Sequence, residues 1–247
     1  MDRIVVLNAF ASLFRDVADE DYISARCNYQ LRLREQFFWA SLQALEKYLK
    51  AILLHNQQST RGYGHDVVKL RDKVKQITWL AFSIPERVEK FLARAVEFGD
   101  NRYMSTDAYI RPQNLMELDE SVWNIRAYCQ FVCVKLRKPK VDLTFHNVQR
   151  INDRSSCQDP REYKPFSAGG GGFLENILNR PTRDPVRQTL IRHNRFYGTP
   201  GSKIAPAPYW SSSRIPPNRQ KWFTARVKKD VEQYIFFPKD RNDIFMF

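Results

Sequence analysis

Apolar positions in the first 138 residues recur at helical spacing. Between Ile4 and Val17 an apolar face is made by Phe10, Leu13, Phe14 and Val17, and that period predicts a first amphipathic helix. Asp19-Glu20-Asp21 suits a second helix start, because carboxylates favour the positive end of the helix dipole. From there a long helical pattern is expected to run to about His55. Its face is Phe38, Leu42, Leu45, Leu49 and Ile52, at 4-3-4-3 spacing. Phe37, Ala44, Tyr48 and Ala51 widen that face, which predicts a helix buried on two sides.

Gln57 to Gly64 is polar and contains glycine, so it reads as a loop. A short helix is expected from His65 to Ile77. Pro85 suits the first turn of the next helix, which should bury Val88, Phe91, Leu92 and Ala95 and end at Gly99. Leu115, Leu118, Val122, Ile125, Cys129, Val132 and Leu136 then follow a 3-4-3-4-3-4 spacing. That seam predicts one last continuous helix with a core-packing face. Further on, Phe173–Arg180, Asp184–Arg195 and Arg219–Phe236 are candidate short helices, separated by Pro- and Gly-rich extended segments.

Proline and glycine divide the chain. Eleven of the 13 prolines lie at position 139 or beyond, as does the tetraglycine Gly169–Gly172. Residues 1–138 hold 21 basic and 17 acidic side chains; residues 139–247 hold 19 and 10. The net charges are therefore +4 and +9, within a total of +13. The boundary falls near Lys138, giving a helical domain over 1–138 and a basic, irregular, helix-containing region over 139–247. A charge this positive points to an acidic partner, with nucleic acid first and an anionic membrane surface second. The four cysteines, Cys27, Cys129, Cys133 and Cys157, form no Cys-x-x-Cys pair. They read as small apolar core residues in a reducing compartment, with no metal site. No stretch approaches 18 apolar residues and the N-terminus lacks a signal-type apolar core, so a cytoplasmic protein without membrane association is expected.

Motifs in the first part carry a resemblance to a known family. The segment Asp19-Glu-Asp-Tyr22-Ile-Ser-Ala-Arg26 precedes the run Gln36-Phe-Phe-Trp39-Ala-Ser-Leu-Gln-Ala-Leu-Glu46-Lys47-Tyr48-Leu-Lys50-Ala51, which is followed, after a loop, by Gly64-His65-Asp66-Val67-Val68-Lys69-Leu70. In type, order and spacing this resembles the HEPN family, over roughly residues 5–138. The resemblance implies a mainly α, up-down helical bundle that forms homodimers. It also implies one of two activities: metal-independent endoribonuclease chemistry in toxin–antitoxin or antiviral defence systems, or non-catalytic binding of nucleotides or RNA. A cognate antitoxin or a nucleotidyltransferase-like protein is the implied partner, and no cofactor is implied. Catalytic members carry Arg, four to six residues, then His near the start of the last helix. The matching place here is Arg102-Tyr103 with Tyr109 seven residues after the arginine. Tyrosine, with a pKa near 10, is a poor base at neutral pH. It can still bond a phosphate or stack on a base.

Three readings of function follow. The leading one is an RNA- or nucleotide-binding protein lacking the usual catalytic pair, with Arg102, Tyr103 and Tyr109 lining the site. Basic and aromatic residues of the second region would add to it: Arg180, Arg183, Arg192, Arg195 and Trp222. Their mixture suits base stacking with phosphate neutralisation. The second is a true ribonuclease using Arg187 and His193, or His65, as catalytic residues. His can serve as general acid or base and Arg can stabilise charge on phosphorus. The third is a non-enzymatic subunit whose basic tail wraps a larger complex. His65-Asp66 also has a structural reading as the cap of the short helix that follows. Gly169–Gly172 lacks the Lys-Ser/Thr of a phosphate loop and reads as a hinge.

Overall fold

The computed structural model describes residues 3–99, 110–111, 113–130, 132, 135–136, 141–142, 147–149, 151–153 and 172–197. The chain is mainly α. Its helices among the described residues include α1 (Arg3–Gln30), α2 (Arg34–His55), α3 (Val67–Lys75), α4 (Glu86–Gly99), α5 (Gln113–Arg126), α6 (Phe173–Leu178) and α7 (Pro185–Ile191), and residues 147–149 and 151–153 are helical too. One antiparallel pairing joins β1 (Lys135–Leu136) to β2 (Val141–Asp142), with Lys135 opposite Asp142 and Leu136 opposite Val141.

The centre of the bundle is α2. Phe37, Phe38, Leu42, Ala44, Leu45, Tyr48, Leu49, Ala51, Ile52 and Leu53 are all buried, so the apolar spacing read from the sequence does mark core. Each large side chain among them stabilises the fold by about 1.5–3 kcal/mol. Helices α1 and α4 flank it closely. At Gly99 the approach is tight: a Cβ there would lie 2.8 Å from Leu42 Cδ2 and 3.2 Å from the Phe38 carbonyl oxygen. The phenyl rings of Phe37 and Phe38 meet edge-on at 5.0 Å, and Phe98 packs on Phe38 at the same distance.

Four expectations need correction. First, no helix starts at Asp19: α1 runs unbroken from Arg3 to Gln30, and the break falls at Leu31–Leu33, where Arg32 adopts a φ of 61°. This short turn reverses the chain so that α2 packs back on α1. Second, the face of α1 turned to the core is Ala11, Arg15, Ala18, Tyr22, Ala25 and Tyr29, a 4-3-4-3-4 stripe of alternating small and large residues. Phe10, Leu13 and Val17, expected inside, are exposed. Third, the last helix stops at Arg126. Cys129 and Val132 remain buried after the helix has ended, and Leu136 belongs to β1. Fourth, Cys27, expected in the core, is exposed.

Local chemistry accounts for the short helices. Asp66 caps α3 by accepting from the Lys69 N–H at 2.9 Å, as the helix-cap reading of His65-Asp66 requires. Asp184 caps α7 by accepting from the Arg187 N–H at 2.9 Å, with Pro185 in the first position. Gly172 precedes α6, and its N–H donates to Glu175 Oε2 at 3.1 Å. Leu174, Ile177, Leu190 and Tyr197 join the same apolar core as α1–α5. Residues 172–197 are therefore laid onto the bundle. No described helix is long and apolar enough to cross a membrane.

Candidate functional site

Residues 172–197 are held on the bundle by two buried polar networks, one reaching α6 and the other the end of α7. The first centres on Arg126. Its guanidinium grips Asp19 with two bonds, Nε to Oδ1 at 2.7 Å and Nη2 to Oδ2 at 2.8 Å. It also reaches Glu175, with Nη1 2.7 Å from Oε1 and Nη2 2.6 Å from Oε2. Asp19 further accepts from the Tyr48 hydroxyl at 2.6 Å and from the Leu174 N–H at 3.2 Å. Burial raises the Glu175 carboxyl, but Arg126, a backbone N–H and Arg15 outweigh that and hold it down at about 2. Burial and Asp19 push the Tyr48 hydroxyl well above its ordinary range, so it stays a donor.

The second network centres on Arg26, which is fully buried. It pairs with Asp119 and donates to the Thr189 carbonyl at 2.9 Å and to the Arg192 carbonyl. A cation on these carbonyls complements the negative end of α7. Asp119 also accepts from the Tyr22 hydroxyl at 2.6 Å, and that hydroxyl accepts from Asn194 Nδ2 at 2.8 Å. The Asn194 side chain then accepts from the backbone N–H groups of Phe196 and Tyr197 at 2.9 and 3.1 Å. The Tyr197 ring lies 5.5 Å from Trp123. A buried arginine bonded on every side fixes geometry more than it adds stability.

This framework presents Arg183, Arg192 and Arg195 to solvent, with Arg180 half-exposed and 3.5 Å from Asp184. One acidic residue, Asp184, stands against six basic ones between positions 180 and 195, His193 included. Arg187 is turned inward, and its Nη1 donates to the Arg180 carbonyl at 2.6 Å. His193 lies beyond the end of α7 with a φ of 57°. Arg102, Tyr103, Tyr109 and Trp222 lie outside the described residues.

The two sequence motifs meet at a second place. Glu46 of α2 is buried, and its Oε2 lies 2.9 Å from His65 Nδ1 while its Oε1 holds Lys50 at 2.5 Å. The His65 side chain is 71% exposed, so the carboxylate orients an imidazole whose other edge faces solvent. Lys47, beside Glu46 in the motif, pairs with Asp21 of α1. Among the described residues no group of three ligating side chains could hold a metal ion.

The residues that build the Arg26 and Arg126 networks are not among the candidate site residues read from the sequence. Arg15, Asp19, Tyr22, Arg26 and Tyr29 share a 4-3-4-3 spacing. That charged stripe was the available signal. A family model described as the HEPN domain matches residues 11–110. Neither the curated proteins nor the solved structures hold a match to the chain.

Proposed function

Residues 11–110 of this chain form a HEPN domain, and from that premise we propose that the protein binds RNA or a nucleotide without cleaving it. It would serve a cytoplasmic, prokaryotic defence or toxin–antitoxin system, as a homodimer beside an antitoxin or nucleotidyltransferase-like partner. The observation that carries the reading is the exposed trio Arg183, Arg192 and Arg195, on a segment whose Thr189 and Arg192 carbonyls are held by the buried Arg26. Pre-set cations bind phosphates without the cost of ordering a loop. Arg102, Tyr103 and Tyr109, with Trp222, would extend the contact by stacking and phosphate bonding. Tyrosine at 109 in place of histidine favours binding over cleavage.

Fluorescence anisotropy of a labelled single-stranded RNA tests this. Affinity should fall steeply with salt, and each of Arg183→Ala, Arg192→Ala and Arg195→Ala should lower the salt slope by about 0.7. An absence of binding at low salt defeats the reading. One observation favours a second reading: the Glu46-oriented imidazole of His65 is placed as a general base. Metal-free cleavage of the same RNA, abolished by His65→Gln, would select an endoribonuclease instead.

A further inference from the structure

The first turns of α1 carry an apolar face that the described residues leave exposed. Phe10 is 54% exposed, Leu13 59% and Val17 41%. Val6, half-buried, lies on the same side. At the two ends of this stripe stand Arg3 and Glu20, both exposed and neither in an ion pair with a described residue. Arg3, Val6, Phe10, Leu13, Val17 and Glu20 follow a 3-4-3-4-3 spacing, which is the seam of a helix that pairs with another helix. At 1.5 Å per residue the stripe is about 25 Å long. It differs from the stripe turned inward, where Ala11, Arg15, Ala18 and Tyr22 pack into the core. A run of large apolar side chains in water is costly unless something covers it.

We infer that a second copy of this chain covers it, through an antiparallel pairing of α1 with its two-fold mate. The order of residues selects both the occupant and the direction. A two-fold axis midway between residues 11 and 12 sets Val6 against Val17, Phe10 against Leu13 and Arg3 against Glu20. Apolar meets apolar and base meets acid at each level, and the symmetry repeats each contact, as an isologous interface requires. A parallel pairing would set Arg3 against Arg3 and Glu20 against Glu20, which repels at both ends. The stripe is thus complementary to its own reversal, a property that a foreign partner would not impose. This names the face of the homodimer proposed above. It rests on that reading only for the existence of a dimer, and it is independent of RNA binding.

Sedimentation velocity of the full chain over a micromolar concentration series tests it. The expected result is a concentration-dependent dimer that Leu13→Glu converts to monomer. Arg3→Glu and Glu20→Lys should each weaken the dimer by roughly tenfold, since each replaces two attractions with two repulsions. The combined variant Arg3→Glu/Glu20→Lys should return to near the parental affinity. All three positions are exposed, so far-UV circular dichroism should be unchanged in every variant. A dimer indifferent to Leu13→Glu places the interface elsewhere and overturns this inference while leaving the homodimer standing. A combined variant no tighter than the single ones overturns the antiparallel register. A chain that stays monomeric throughout, its stripe covered by another segment or by a different protein, overturns both the inference and the homodimer.

Discussion

Acidification below pH 6.5 should destabilise this protein through one residue, His55. It is the last residue of α2, it is buried, and its Nδ1 lies 3.1 Å from Asn8 Oδ1 on α1. Burial first, and then the charge of Arg15, holds the imidazole down at about 3, from an ordinary value of 6.5. Above pH 6.5 the ring is neutral in both folded and unfolded chains, so it adds no pH dependence. Below pH 6.5 the unfolded chain takes up a proton that the folded one refuses. Each pH unit then removes about 1.36 kcal/mol of stability, until the folded ring also titrates near pH 3. From pH 6.5 to 5 the loss is about 2 kcal/mol, a large share of the 5–15 kcal/mol typical of a domain. Urea unfolding at pH 7, 6 and 5, for the parent and for His55→Gln, isolates the term. Asp21 and Asp119, whose carboxyls burial raises, favour the native state as pH falls, but they do so in both proteins and cancel. The difference between the two stabilities should shrink by about 2 kcal/mol across this range. Parallel profiles would show that His55 is protonated in the native state, and the reasoning would fail.

Two further outcomes follow from the packing. Glu175→Gln removes one of the two carboxylates on Arg126 and should cost about 2–3 kcal/mol, read as a lower Tm and faster proteolysis within residues 172–197. Because the Glu175 carboxyl is held low, its stabilisation is complete above about pH 4.5 and disappears as pH falls toward about 2. The variant should lack that part of the acid limb. Gly99→Ala pushes a methyl to within 2.9 Å of Leu42 Cβ, and 3.2 Å from a backbone oxygen that cannot swing away. A loss of about 1–3 kcal/mol in denaturant unfolding is expected, and an unchanged or more stable protein would show that α4 shifts freely on α2.

The sequence was most legible where burial is purely apolar. In α2 the apolar stripe is the core stripe, and Phe38, Leu42, Leu45, Leu49 and Ile52 are buried as the spacing predicts. In α1 the same rule misleads, since its inward face mixes alanine with Arg15, Asp19, Tyr22 and Arg26, while Phe10, Leu13 and Val17 face outward. Periodicity registers hydrophobicity and cannot register a partner. Asp119, which neutralises Arg26, lies 93 residues away, and Arg126, which neutralises Asp19, lies 107 away. At the end of α5 the apolar spacing continues through Cys129 and Val132 although the helix has stopped, because a chain can stay buried without staying helical. The resemblance supplied what spacing did not. Its two motifs meet at the Glu46–His65 contact, between residues 19 apart in the chain.

The sharing of Arg126 between Asp19 and Glu175 has a consequence for synthesis. The ribosome makes Arg126 49 residues before Glu175, and Arg26 163 residues before Thr189. A nascent chain ending soon after α5 therefore owns both buried arginines but not all of the oxygens that receive them. Until α6 and α7 emerge, those donors must find other partners, water among them. A stop codon placed soon after α5 would leave the chain in that unfinished form.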